Sequence, residues 1–444
     1  MTPQRILIKG KGLLSGIVLA VFILVYGCLC FSARHRAKVL WVGIGVLVAA
    51  RYALAGQDAE GAFTLEAVAR HGISWNVLGV LAGAMLIADL FMASGVPLLV
   101  ADLIVGHCRT TRLAIVSVCL FSGFISAFVD NVTTVLLVSP IALAISQRTL
   151  VSPVPILIGI AVSANLQGAA TLIGDPPSML LAGAFRLSFN DFFVHAGRPS
   201  LFFAMQAGAA ASAVVLFLVF RRHRQPMEPV EVVKPKTWVP VGFIAVMIAF
   251  LASSSRFDPD FRWLAGTGNL ILGALAFAWG MVHEPEEAKR ILRRYEFPTM
   301  FLLAGIFVLA YAMDRFGWVK AIADGIAGLV GTNKFAAYTL IVWISVLVSA
   351  FVDNIAYVAL MLPVTKTLAA TVGGDAFLYA SGLLIGACIG GNITPIGASC
   401  NVVAVGVLRR QGHTVTFGQF ARLGLPFTLV ATTSAYLFVW LFWS

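Results

Sequence analysis

Charge is scarce in this 444-residue chain: Asp, Glu, Lys and Arg make up 11% of it, against 59% hydrophobic residues. Mean hydropathy is +0.92. Such a balance excludes a water-soluble fold, because a soluble core could not hide that much apolar surface. A nucleotide-binding loop is missing, which argues against ATP-driven transport by this chain alone. Low-complexity tracts and recognisable soluble domains are missing too. The six cysteines do not make a disulfide framework, since Cys28, Cys30, Cys119 and Cys388 lie inside apolar runs. Cys388 and Cys400 flank the second motif described below, which leaves a soft-ligand role open there. His71, His107, His195 and His413 show no ligand spacing.

What is present is apolar length. A spanning helix takes about 20 apolar residues, so the chain has room for about ten spans plus shorter pieces. Spans are expected at 12–31, 39–55, 75–94, 198–220, 238–253, 263–282, 297–314 and 422–443. Two interrupted elements are expected at 153–185 and 377–408, and short interfacial helices at 96–107 and 318–330. The stretch 221–236, with Pro226, Pro229 and Pro235, reads as a linker. It divides the chain into an N-terminal repeat, 1–220, a cytoplasmic linker, 221–237, and a C-terminal repeat, 238–444.

The net charge of +11 belongs to membrane topology and not to nucleic-acid binding. With the basic loops near 34–38, 109–112, 148, 221–236, 289–294 and 409–422 in the cytoplasm, 18 of the 31 Lys and Arg lie on that side. The protein is expected to be multi-pass in the plasma (inner) membrane. The cluster from Glu284 to Arg294 reads as a solvated helix on the membrane surface.

One short stretch occurs twice. Ser126-Ala127-Phe128-Val129-Asp130-Asn131 returns as Ser349-Ala350-Phe351-Val352-Asp353-Asn354, an offset of 223. The offset continues through Pro140 and Pro363, Gly168 and Gly391, Thr171 and Thr394, and Gly174 and Gly397. Upstream, Gly83 pairs with Gly305 and Gly95 with Gly317 at an offset of 222. Each Asp-Asn pair interrupts an apolar run, within 112–146 and 336–369. A carboxylate at bilayer depth costs several kcal/mol or more unless it meets water, a partner or an ion. Each leg of these runs is short for a full crossing at ~1.5 Å per residue, so a re-entrant hairpin fits. Five spans and a hairpin per half give the halves opposite orientation. The expected fold is an all-α polytopic membrane protein, an inverted repeat of two five-span halves, each with a re-entrant hairpin and an interrupted helix.

A helix broken in the membrane frees N–H groups on one leg and C=O groups on the other. Carbonyls, carboxylates and hydroxyls are hard oxygen donors, suited to alkali cations or protons. Asp130, Asn131, Thr133, Thr134 and Thr171 supply them in the first half. Asp353, Asn354, Asn392, Thr394 and Ser399 do so in the second. Competition between a proton and Na+ at Asp130 and Asp353 would couple two fluxes. Capping of the following half-helix is the plainer role for such an Asp. It is expected most at Asp175, which precedes Pro176 and whose offset partner is Ala398. Asp89, inside a span and matched by Tyr311, is a further candidate site.

At these motifs the chain resembles the ion transporter superfamily that includes arsenite permeases, citrate and divalent-anion carriers, the melanosomal P protein and NhaD-type sodium/proton antiporters. The sharpest parts are 126–140, 165–178, 349–363 and 390–403. The two Asp-Asn pairs and Thr171-Leu172-Ile173-Gly174-Asp175-Pro176-Pro177 look most like the NhaD and P-protein branch. That branch implies exchange of Na+ or Li+ for protons. The resemblance implies a site of Asp130, Asn131, Thr133, Thr134, Thr171, Asp353, Asn354, Thr394 and Asn401, with Asp175, Asn165, Asn392, Ser399 and Asp89 beside it. The chain departs from the branch at Ser178, and Ala356 and Tyr357 replace Thr133 and Thr134 in the second copy. Divalent-anion carriers bear Ser-Asn-Thr at both tips, which argues against a dicarboxylate cargo. An arsenite, antimonite or other anion permease is the alternative. A passive channel and an intramembrane aspartyl protease compete from other classes; Ile173-Gly174-Asp175 matches the protease signature only in part. The expected partners are a small inorganic ion, protons and the lipid bilayer, with a homodimer left open. No cofactor, enzymatic activity or nucleic acid is expected.

Overall fold

The computed structural model describes residues 3–31, 36–54, 63–226 and 234–444. Part of the basic loop at 34–38, the start of the polar loop after Gln57, residues 227–233 of the linker and the side chain of Cys30 lie outside the described residues. What is described is almost entirely helical. A two-residue antiparallel pairing of Val194–His195 with Arg198–Pro199 is the sheet found among the described residues.

Helices form where the apolar runs predict them and end at the breakers. Trp75–Ala93 stops at Gly95, whose φ of +79° lets the chain turn into Val96–Gly106. Gly317, at φ +83°, does the same between Phe297–Arg315 and Trp318–Val330. A left-handed conformation of this kind is open to glycine at little cost. The first Asp-Asn motif separates Thr111–Ser126 from Asn131–Thr149, and the second separates Lys334–Ser349 from Asn354–Val372. Within each motif the two legs pack on one another and on the helix that follows, Pro153–Gly168 or Ala376–Gly390. Those helices break at 169–175 and 391–398, before Pro176–Phe185 and Ser399–Arg410.

Among the described residues, eight helices are long and apolar enough to cross a membrane. That is fewer than the ten read from apolar length. Thr111–Ser126, Pro153–Gly168, Val239–Ser254 and Lys334–Ser349 are apolar but only 16 residues each.

The sequence duplication is also a duplication of contacts. Thr171 Oγ1 donates to the carbonyl of Ala127, and Thr394 Oγ1 to that of Ala350. A methyl on Gly174 would sit 2.4 Å from the Gly168 oxygen, and one on Gly397 would sit 2.5 Å from the Gly391 oxygen. Only hydrogen fits at either place.

A second tight joint holds Trp75–Ala93 to Leu264–His283. A methyl on Gly83 would lie 2.0 Å from the Asn269 oxygen. Asn76 accepts from Gly266 N at 2.6 Å and donates to the Phe261 oxygen at 2.9 Å. Asn269 donates to the Val80 oxygen at 2.8 Å. Close backbone approach through small residues, with amides bridging, suits helix pairs in lipid.

Two basic segments expected on one side are joined directly. Thr111 N and Arg112 N donate to the Gln225 and His223 oxygens at 2.9 and 2.8 Å. Further along, Lys236 N donates to the Ser94 oxygen, and Lys236 Nζ pairs with Glu287 Oε1 at 2.9 Å.

Candidate functional site

Asp130 lies in the break between the legs of the first motif. Its Oδ2 accepts from Thr133 N at 3.0 Å and Thr133 Oγ1 at 3.2 Å, capping the second leg. Thr134 Oγ1 donates to the Asp130 carbonyl at 2.9 Å. The cap thus falls on the residue also expected to hold the cargo. The carboxylate also lines a cavity of about 420 Å³.

The cavity runs between two groups of elements. One wall is Trp75–Ala93, contributing Met85, Asp89 and Met92. The other is the first motif and the first helix break, contributing Phe128, Thr133, Gly174 and Met179. Glu287, Arg290, Arg294, Glu296 and Thr299 border it as well. Asp89 therefore shares a chamber with Asp130, and lies within electrostatic range of both Asp130 and Glu296. Glu296 is held by Thr299 Oγ1 at 2.7 Å, and Tyr295 OH anchors the segment to the Ala82 oxygen at 3.0 Å.

Much of the helix Pro285–Arg294 is exposed, as a surface helix should be, including Glu286, Lys289, Arg290 and Arg294. On the same helix, Glu287, Arg290 and Arg294 border the chamber. The alternation of charge with Ala288 and Ile291, both buried, is the sequence signal that one face turns inward.

A chain of amides crosses the protein behind Asp130. Asn131 Nδ2 donates to Asn165 Oδ1 at 3.2 Å. Asn165 Nδ2 donates to the Cys388 oxygen at 2.6 Å and to Asn392 Oδ1 at 2.9 Å. Asn392 Nδ2 donates to the Val162 oxygen at 3.0 Å. The two interrupted helices are linked here.

The second copy is built differently. Asp353 Oδ1 caps its leg by accepting from Ile355 N at 3.1 Å, and the residue does not line the chamber. Tyr357 OH, in place of Thr134, meets Ser345 Oγ at 3.1 Å. Tyr26 OH donates to the Ala356 oxygen at 2.7 Å. Asn401 Nδ2 donates to the Gly391 and Thr394 oxygens at 2.9 and 3.0 Å, holding the second break in shape. Ser399 is exposed, apart from the buried cluster.

One expectation is overturned. Asp175 stands at the N-cap position of Pro176–Phe185, yet its side chain makes no capping bond. Asp130 and Asp353, where capping was the lesser expectation, do cap. Asp175 faces Asn354 of the second motif and lies within electrostatic range of both Asp130 and Asp353. The backbone at 168 crowds it from behind, since a methyl on Gly168 would sit 3.2 Å from its Cβ. Its Oδ2 is buried without a hydrogen-bond partner. The cysteines described, Cys28, Cys108, Cys119, Cys388 and Cys400, are all free. Among the described residues no His, Cys, Asp and Glu cluster is arranged to hold a resident metal.

The profile of a family described as "CitMHS: Citrate transporter" matches residues 17–384. An uncharacterized transporter of Mycobacterium tuberculosis is 31% identical over 96% of this chain and 99% of its own length. The P protein of Homo sapiens is 26% identical over 94% of this chain and 58% of its own length. Among solved structures, the Alcanivorax borkumensis YdaH transporter superposes with a TM-score of 0.62 at 15% identity, covering 97% of each chain. Neisseria gonorrhoeae MtrF gives 0.57 at 14% identity, over 97% of this chain and 94% of its own. At these identities the structural likeness is one of fold. The family match over most of the length, joined to the spanning helices and the chamber between them, shows that the chain belongs to the CitMHS citrate-transporter family of the ion transporter superfamily and is a multi-pass membrane transporter.

Proposed function

We propose that this transporter exchanges Na+ or Li+ for protons by alternating access, with the cargo held at Asp130. The observation that carries the reading is a carboxylate at a helix break, on the wall of a chamber, with a threonine hydroxyl beside it and a second carboxylate, Asp89, in the same chamber. Oxygen donors of this kind take alkali cations, and a carboxylate can trade that cation for a proton. Residues 1–220 and 238–444 act as oppositely oriented five-span halves in the plasma membrane, each with a hairpin and an interrupted helix, joined by 221–237. In this arrangement Asp353, Asn354, Thr394 and Asn401 serve the second half as Asp130, Asn131, Thr133, Thr134 and Thr171 serve the first. The chamber reaches Asp130 from the side of Glu287 and Lys236, the side assigned to the cytoplasm, so the structure fits an inward-open state.

An anionic cargo is the second reading. The family description names citrate, and Arg290 and Arg294 border the chamber. Counterflow in proteoliposomes separates the two, comparing Na+, Li+, arsenite and citrate with a pH-sensitive dye inside. Proton movement driven by Na+ or Li+ supports exchange. Proton movement driven by arsenite or citrate alone overturns it.

A further inference from the structure

The asparagine chain has a direction, and the direction is set at its far ends. A backbone carbonyl can only accept a hydrogen bond. Cys388 O and Val162 O are two such ends, at 2.6 Å from Asn165 and 3.0 Å from Asn392. Each must be met by an amide nitrogen. Rotating either side chain by half a turn would set oxygen against oxygen. With Asn392 Nδ2 committed to Val162, its Oδ1 faces Asn165 and accepts from it at 2.9 Å. Asn165 Nδ2 then spends its two hydrogens on Cys388 and Asn392, so its Oδ1 is left to accept. The group it accepts from is Asn131 Nδ2, at 3.2 Å. Asn131 is thereby turned so that its own Oδ1 is the free end. Among the described residues that oxygen accepts from no donor.

Water cannot relax this constraint. Asn165 and Asn392 are 0% exposed and Asn131 is 5% exposed. A reversed amide in that setting leaves a buried polar atom unpaired, and the penalty falls on every link.

We infer that Asn165 and Asn392 are positioning residues that fix the amide of Asn131, the next residue in the chain after Asp130, with its oxygen and not its N–H group left to meet a cargo, so that the site takes a cation and disfavours an anion. The inference rests on the cation reading given above. It assigns Asn165 and Asn392 to orientation and not to direct coordination. The selecting element is then divided between the halves: the first motif presents the oxygen, and Cys388 of the second half and Val162 of the first hold its polarity.

The test is Na+-driven proton movement in proteoliposomes for wild type, Asn165→Ala, Asn392→Ala and the double variant. Freeing the Asn131 amide weakens cargo binding by about one hydrogen bond's worth, so Asn165→Ala raises the Na+ half-saturation about 5- to 10-fold. The maximal rate stays within about twofold, because Asn165 contacts no cargo. Asn392→Ala acts in the same direction through Asn165. The double variant is no worse than Asn165→Ala, since both act through one chain. Should Asn165→Ala not reconstitute, Asn392→Ala alone decides by the same shift in half-saturation. Unchanged half-saturation in the variants, or single effects that multiply in the double variant, overturns the inference while leaving cation exchange intact. A wild-type protein that moves no alkali cation overturns the functional reading first, and this inference with it.

Discussion

Thr394 Oγ1 lies 2.5 Å from the carbonyl oxygen of Ala350. The same bond, displaced by 223 residues, joins Thr171 to Ala127. Each ties the break of an interrupted helix to the turn of the motif before it. Both threonines are fully buried, so no water replaces the hydroxyl. Thr171→Val or Thr394→Val keeps the shape and leaves a carbonyl unpaired. Each is expected to cost about 1–3 kcal/mol. Thermal unfolding of the protein in detergent checks this; Thr→Ser at either position should lose less than Thr→Val.

Glycine at the breaks is expected to tolerate nothing larger. A methyl on Gly174 would meet three backbone oxygens within 2.9 Å, and one on Gly397 would meet Gly391 and Ala350 at the same range. Backbone atoms cannot yield as a side chain can, so Gly174→Ala and Gly397→Ala should each cost about 1–3 kcal/mol or prevent folding. Gly406, in a helix with open space beside it, is the control. Gly406→Ala should be neutral or stabilising by up to about 1 kcal/mol. The yield of monodisperse protein by size exclusion measures all three.

How far the sequence reveals this depends on the range of the interaction. The breaks are legible because Gly, Pro and Asp act locally, and Gly95 and Gly317 turn the chain where they stand. The asparagine chain is not legible. It joins residues 34 and 227 positions apart, and only the packing of two helices makes them neighbours. Asp175 shows the limit most clearly. Its place before Pro176 forecasts a cap, but the side chain is drawn across to Asn354, which no local rule includes. The chamber acids were half legible: Asp89 stands out within an apolar span, whereas Glu296 looks like any residue between two helices. Its position depends on Tyr295 reaching Ala82.

Outside the spans, the loop after Arg186 is expected to respond to acid. Asp191 accepts from Ser188 N at 2.7 Å and Ser188 Oγ at 2.5 Å, and meets His195 Nδ1 at 2.8 Å. Partial burial pushes its carboxyl up, but the bonds from His195 and Ser188 outweigh this and hold it below the usual carboxylate range. A group whose folded pKa is lowered stabilises above its unfolded value and loses that as pH falls through the folded one. Asp191→Asn should therefore lower stability at pH 7 by about 1 kcal/mol. The difference from wild type should shrink below about pH 4. Melting curves between pH 3 and 7 check this; a difference that grows on acidification would contradict it.

The most direct test of the central claim is internal pH in proteoliposomes loaded acidic and then given external Na+. The account predicts that wild type alkalinises the lumen in a saturable way, and that Asp130→Asn and Asp353→Asn each abolish the response while still reconstituting. Wild type that leaves the lumen acidic under Na+ and Li+, or two variants that exchange as wild type does, would contradict it.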